Sequence, residues 1–263
     1  MRENSLPAVA PTRRFATMIT CDGLCLYLTH RPVLSNIHWR IEAGSAWGII
    51  GPPASGKSVL AKTLCGLFTP QAGNLLVDGT NLPKLPEPGR VNVRRKMGML
   101  FQNNALFDFL RVWENVAFPL ARQNPELSRE SLMEAAGARL RSVGLSGSEE
   151  KWPSELSGGM KKRVGIARAT ICNAPILLYD EPTAGLDPVT TSKIYDLLTN
   201  LRQQHASTVI AISSDIPALR GFVDNILFLH QGAVRYCGPE SALDACEDPI
   251  VHQFVRGLTE GPL

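Results

Sequence analysis

No apolar stretch of this 263-residue sequence approaches the roughly 18–20 residues that a membrane span requires. The N-terminus also lacks the apolar core of a secretory leader, so the expected setting is the cytoplasm. Six cysteines (21, 25, 65, 172, 237 and 246) form no CxxC pair and have no histidine at zinc spacing. A zinc module and a disulfide framework are therefore excluded, and reduced, mostly buried thiols are expected. Charge of one sign is also scarce: the formal net charge is +3, too little for a strong nucleic-acid field. The clusters Arg94-Arg95-Lys96 and Lys161-Lys162-Arg163 are short and read as solvated faces. Internal repeats and low-complexity tracts are missing. The length suits one domain carrying an inserted subdomain.

What the chain does contain is Gly51-Pro52-Pro53-Ala54-Ser55-Gly56-Lys57-Ser58, the G-x-x-x-x-G-K-S pattern. Such a loop turns successive backbone N–H groups inward around phosphate oxygens. Lys57 is placed to neutralise β- and γ-phosphates, and Ser58 to hold Mg²⁺. The apolar run 45–50 before it reads as a buried parallel strand, and residues 58–64 after it as a helix. Phosphate would then sit at a helix N-terminus, where the dipole favours anions.

Before this loop, residues 1–16 read as a flexible lead-in, and Ala16 to Ile41 as β-runs turning near Thr29–Pro32. Tyr27 lies in this region and is either a packed strand residue or an aromatic that stacks on an adenine ring. Residues 73–79 read as a strand closed by an Asp-Gly turn, and 80–93, with Pro83, Pro86 and Pro88, as a loop. The strand Lys96–Phe101 ends at Gln102, at the edge where open parallel sheets bind ligands. Its amide oxygen can complete a Mg²⁺ shell or orient water. Residues 103–144 carry helical spacing, with Phe107, Phe109 and Trp113 as either local core or a docking surface.

A second phosphate-binding element follows. Leu156-Ser157-Gly158-Gly159-Met160 places an N-cap serine and two open glycines at the head of a helix expected to reach about Cys172. One nucleotide needs two such elements only if a second copy supplies one, which suggests a head-to-tail dimer with ATP between subunits. Ile176–Tyr179 is an apolar strand that ends in Asp180-Glu181. Asp180 is placed to bind Mg²⁺ and Glu181 to polarise the attacking water. The helix from Pro188 is capped by Asp187. A further parallel strand, 208–213, leads to Ser214-Asp215, two short strands follow, and a last amphipathic piece spans Ser241 to Leu258.

In this order, the phosphate loop, Gln102, LSGGM, the Asp180-Glu181 strand end and Ala184-Gly185-Leu186-Asp187-Pro188 resemble the nucleotide-binding subunit of an ATP-binding cassette (ABC) transporter over about residues 17–257. The resemblance implies an α/β P-loop NTPase (RecA-like) core with an N-terminal antiparallel β region, a helical subdomain inserted at about 103–170, and a short tail at 258–263. It also implies a homodimeric ATPase using ATP and Mg²⁺, peripheral on the cytoplasmic face of the inner membrane, with no nucleic-acid partner. Residue by residue, it makes Tyr27 the adenine-stacking aromatic and Gln102 the Q-loop residue. Ser157, Gly158 and Gly159 become the signature acting in the opposite subunit, and Asp187 the D-loop contact.

Met160 in place of the usual glutamine, the run Met99–Asp108 followed by Glu114–Leu120, and the ending Asp248–Gly257 with Gly261-Pro262 look like the ATPase of the maintenance-of-lipid-asymmetry (Mla) family. That likeness implies a membrane permease, an MCE-domain lipid-binding protein and phospholipid as cargo, with the aromatics around Phe107 receiving the permease. Transport of another solute, or an ATP-gated clamp that does not hydrolyse, are the alternatives. Three positions depart from the family. Ser214 stands where a histidine is usual and is expected to fall short without a bridging water. Pro53 removes a side-chain donor and an N–H. Ala54 replaces a glycine.

Overall fold

Uninterrupted burial along three short strands sets the architecture. The computed structural model describes residues 17–263, so the lead-in expected at 1–16 lies outside the described residues. In chain order the strands and helices are β1 (Thr17–Leu28), β2 (Arg31–Glu42), β3 (Ala46–Ile50), α1 (Lys57–Leu64), β4 (Ala72–Val77), β5 (Thr80–Asn81), α2 (Glu87–Arg94), β6 (Met97–Leu100), α3 (Val112–Gln123), α4 (Arg129–Ser142), α5 (Gly158–Thr170), β7 (Ile176–Asp180), α6 (Pro188–His205), β8 (Thr208–Ile212), α7 (Ile216–Arg220), β9 (Asn225–His230), β10 (Ala233–Pro239) and α8 (Pro249–Arg256). Every residue of β3, β7 and β8 is buried, as expected of parallel strands covered on both faces. They form the centre of a sheet ordered β10-β9-β3-β8-β7-β6. All neighbours in it are parallel except β10 with β9.

Because strand side chains alternate, the sheet serves two cores. Leu177 and Tyr179 of β7 join the helical side with Val112, Val116, Leu140 and Ile166. Ile176 and Leu178 face the opposite way, towards α1 and the second sheet. That second sheet is antiparallel, ordered β2-β1-β4-β5, and β2 alternates buried and exposed residues along most of its length. Its hairpin turns at Thr29 and His30, both left-handed at φ 46 and φ 66, which matches the twist of the flanking strands. Helices α3, α4 and α5 occupy the chain between β6 and β7. The α/β P-loop architecture expected from the motifs is the one observed.

Three expectations need correction. Residues 80–93 are not a loop: they hold β5, a short turn and most of α2. Pro86 is the N-cap of that helix and Pro88 lies in its first turn, where no N–H is needed. The last amphipathic piece is not continuous, because a short 3₁₀ turn at Glu240–Ala245 ends before α8 begins. Asp248 caps α8 by accepting from the N–H groups of Ile250 and Val251. The thiols are all free, but only Cys21 and Cys65 are buried while Cys237 is exposed. Burial pushes both buried thiols up to about 12.

Close packing of β6 on α5 fixes where the helical segment sits. A Cβ at Gly98 would lie 1.9 Å from the Ala169 carbonyl oxygen, backbone against backbone. Gly98→Ala is therefore expected to lower stability by about 1–3 kcal/mol, read as a lower urea midpoint. An unchanged midpoint would contradict this contact.

Candidate active site

The phosphate loop leaves β3 through Gly51 and enters α1 at Lys57. Gly51 has φ 142, and a Cβ there would sit 2.0 Å from the Leu229 carbonyl oxygen, so no other residue fits. Gly56 is left-handed at φ 103 and gives α1 no side-chain cap. The first-turn N–H groups of α1 are thus left for an external anion. Ser55 is 2 % exposed, and its hydroxyl has no hydrogen-bond partner among the described residues. The Lys57 ammonium arches over the loop and donates to the carbonyls of Gly51 and Pro52, both at 2.8 Å. An orphaned hydroxyl, uncapped amides and a cation held over them fit a polyphosphate. Ala54 takes φ 59, a left-handed conformation that costs a residue with a Cβ roughly 1–2 kcal/mol. Pro53 is exposed.

Strand β8 lies between β3 and β7, so the ends of the three strands converge. There the Ser58 hydroxyl donates to Asp180 Oδ1 at 3.4 Å, an all-oxygen pair suited to Mg²⁺. Asp180 is 3 % exposed. Burial raises its pKa, against the Ser58 hydrogen bond and the charges of Lys62, Lys57 and Lys162. Burial lowers the Lys57 pKa, against the pull of Glu181 and Asp180.

Glu181 follows in a left-handed conformation, φ 52. Its N–H donates to the Ile212 carbonyl at 2.9 Å, and its own carbonyl accepts from Lys162 Nζ at 2.8 Å. The carboxylate accepts from the Ser214 N–H at 3.2 Å and from the Ser214 hydroxyl at 3.1 Å. For the contact with Glu181, the expectation that Ser214 needs a bridging water is corrected here, because β8 brings its backbone to Glu181 and shortens the distance its side chain must span. The basic cluster at 161–163 also needs correction. Lys162 is not a solvated residue but is 5 % exposed. It shares the buried stripe of α5 with Gly165, Ile166 and Ala169, and that i, i+3, i+4, i+7 spacing was the available signal.

The other expected site residues form a second group. Ser157 caps α5, its hydroxyl accepting from the Met160 N–H at 3.3 Å. A Cβ at Gly158 would meet nothing within 4 Å, and one at Gly159 would be 3.5 Å from the Thr190 methyl. Thr190 donates through its N–H at 2.9 Å and its hydroxyl at 2.6 Å to Asp187, which holds that carboxyl below its ordinary range. The fold therefore brings the signature segment and Asp187 together. Among the described residues no hydrogen bond joins Ser157, Gly158 or Gly159 to the phosphate loop.

Tyr27 is 45 % exposed, so its ring is not core. It pairs with Pro32, next to Val33, whose carbonyl oxygen would be 3.0 Å from a Cβ at Gly56. Gln102 is exposed just past β6. After it come three successive left-handed residues, Asn103, Asn104 and Ala105. Arg168 of α5 donates to the Asn104 and Ala105 carbonyls at 2.5 and 2.7 Å. Sequence reasoning missed this pin, and it missed Asn115 as well. Asn115 is fully buried and bonds both backbone groups of Phe107 and the carbonyls of Leu110 and Arg111. No local pattern marks either residue. The aromatics divide: Trp113 is buried, while Phe109 is 75 % exposed. Phe107 and Phe118 line an apolar groove of about 340 Å³ together with Met97, Met99 and Arg168.

A phosphate cradle at a helix N-terminus and a buried carboxylate strand end meeting it define a P-loop nucleoside triphosphatase. The ABC transporter family model matches residues 34–184, and the chain belongs to that family as an ATP-binding subunit with ATPase activity. It is 36% identical over 245 residues to the probable ribonucleotide transport ATP-binding protein mkl of Mycobacterium leprae, across 93% of this chain and 70% of that one. It is 35% identical over 234 residues to the intermembrane phospholipid transport system ATP-binding protein MlaF of Escherichia coli K12, across 89% of this chain and 87% of that one. A dimeric ATP-binding cassette solved in a post-hydrolysis state with ADP and Pi superposes with a TM-score of 0.79 at 31% identity, covering 85% of this chain and 99% of that one. Among the described residues no helix is long and apolar enough to cross a membrane.

The raised pKa of Asp180 has a consequence for stability. A carboxyl that holds its proton to higher pH when folded than when unfolded favours folding at low pH, and that favour is lost as pH rises through the raised value. At neutral pH, without nucleotide or Mg²⁺, the ionised form therefore opposes folding. Asp180→Asn should raise the melting temperature of the nucleotide-free protein, by about 2–4 °C for each kcal/mol recovered. A lower or unchanged melting temperature would show that the three lysines outweigh the burial.

Proposed function

We propose that this chain is the motor of a phospholipid transporter. Two copies would close head-to-tail on ATP, bound to a membrane permease and working with an MCE-domain lipid-binding protein on the cytoplasmic face of the inner membrane. The observation that carries the hydrolytic part is the pinning of Glu181 by Ser214 beside the Ser58–Asp180 pair. The lipid part draws on the likeness to MlaF and on the Met160 signature.

In this reading the loop amides from Gly51 to Ser58, with Pro52, Pro53, Ala54, Ser55 and Gly56 shaping the cradle, hold the triphosphate, and Tyr27 stacks on adenine. Lys57 leaves the Gly51 and Pro52 carbonyls to neutralise the β- and γ-phosphates. Ser58, Asp180 and Gln102 would hold Mg²⁺, whose charge would offset that developing on the phosphates. Glu181 accepts a proton from the attacking water, and Ser214 keeps its carboxylate aimed. Ser157, Gly158 and Gly159 from the other copy close over the γ-phosphate, with Asp187 contacting across the interface. We treat residues 103–170 as one helical unit whose apolar groove near Phe107 and exposed Phe109 receives the permease. A second reading, transport of another solute, is favoured by the likeness to mkl, whose name specifies ribonucleotide transport.

Phosphate release by the chain, alone and purified with its permease, tests the motor. Turnover is expected to vanish in Lys57→Ala, to fall by about 10²–10³-fold in Glu181→Gln, and to change when the permease is bound. Turnover equal to these controls in both states would leave only a nucleotide-gated clamp. Stimulation of the complex by phospholipid supports the lipid reading, and stimulation by ribonucleotide alone replaces it. Ser214→His, which would add a donor long enough for the γ-phosphate beyond the Glu181 contact that Ser214 already makes, should raise kcat by about tenfold or more. An unchanged kcat would mean that Ser214 already supplies all that this position contributes.

A further inference from the structure

Lys162 has no role in the scheme above, yet its position is unusual. An ammonium this buried is rare without a paired carboxylate, and among the described residues none lies within ion-pair distance of it. Its side-chain hydrogen bond goes to the backbone carbonyl of Glu181. That carbonyl belongs to a left-handed glutamate, a conformation that persists only where its surroundings over-determine it. Three main-chain restraints do so here: β8 holds the Glu181 N–H through the Ile212 carbonyl at 2.9 Å, and the Glu181 carbonyl accepts from Lys162 Nζ of α5 at 2.8 Å and, at the longer 3.4 Å, from the Ala184 N–H of the turn that follows. Burial lowers the Lys162 pKa, while the charges of Glu181 and Asp180 oppose that shift.

We propose that Lys162 is a positioning residue for hydrolysis, clamping the left-handed backbone of Glu181 so that its carboxylate is presented, together with Ser214, in one orientation. Lys162 stands five residues past Ser157, the cap of α5. A shift of the signature helix would therefore be felt directly at the carboxylate that polarises water. The ligand of this clamp is the protein's own strand end, and its effect should appear in turnover rather than in nucleotide binding.

The proposal rests on Glu181 being that carboxylate, and the test separates the two. Phosphate release and ATP affinity are measured for the full chain, for Lys162→Met, for Glu181→Gln and for the double variant. Lys162→Met should lower kcat by about 10–100-fold, the usual cost of losing a residue that orients a reacting group, with KM for ATP and the affinity for a non-hydrolysable ATP analogue within about threefold of the parent. In the Glu181→Gln background the same change should cost less than about twofold, because a residue acting through Glu181 has nothing left to orient. Equal losses in both backgrounds, an unaltered kcat, or a matching loss of ATP affinity would overturn the clamp. Full turnover in Glu181→Gln would remove the role of Glu181 itself, whatever Lys162 does. If Lys162→Met does not fold, Lys162→Gln, with a donor on a shorter stem, enters the same cycle with the same pattern expected and a smaller loss.

Discussion

The whole site depends on burying β3, β8 and β7 side by side with both faces covered. Parallel strands in this state must all end on one edge, and that edge is where backbone groups are free and the helices begin. The phosphate loop leaves β3 there, the carboxylate pair ends β7 there, and Ser214 follows β8 there. No long-range contact has to be found for each residue separately. The register Ala46↔Val209 and Leu177↔Val209 aligns the ends of β3 and β7 across β8, and the Ser58 hydroxyl reaches Asp180 from the first turn of α1. Asp180 is then held where burial works against its charge, a cost the fold accepts to keep an oxygen pair ready for a hard cation.

Glu181 shows the same economy in its backbone. Its side chain is held by Ser214, its N–H by β8 and its carbonyl by α5. The left-handed turn swings the chain away from β7, so that Asp180 and Glu181, adjacent in sequence, serve different atoms. A similar logic governs the segment after Gln102, where two of three successive left-handed residues, Asn104 and Ala105, are held by one guanidinium from the same helix. Helix α5 thus contacts both the strand end and the Gln102 loop, and it begins with the signature cap.

Much of this was legible in the sequence because its chemistry is local. Gly51 to Ser58 must be contiguous to cradle phosphate, and Asp180-Glu181 must follow an apolar strand to meet it. Ser157 before two glycines and Asp187 before Pro188 are caps, which are short-range by nature. What failed was longer in range. Side-chain length alone makes Ser214 look too short, but the distance is set by how close β8 runs to β7. Its charged neighbours make Lys162 look solvated, although its phase on α5 puts it on the buried stripe. Pro86 and Pro88 suggested a loop because proline breaks helices, yet both sit where a helix starts. Arg168 had no sequence signal because the carbonyls it meets lie more than 60 residues away, and Asn115 had none because the turn it ties together, from Phe107 to Arg111, has no standard motif.

In the proposed dimer, the cradle and the signature form one nucleotide site only when two copies meet. The direct measurement is the mass in solution of Glu181→Gln with and without ATP and Mg²⁺, beside the same variant carrying Gly158→Asp. The expected mass doubles only when ATP is present, and does not double when a carboxylate occupies the open face of Gly158. ATP bound with the mass unchanged, or a doubling indifferent to Gly158→Asp, would contradict it.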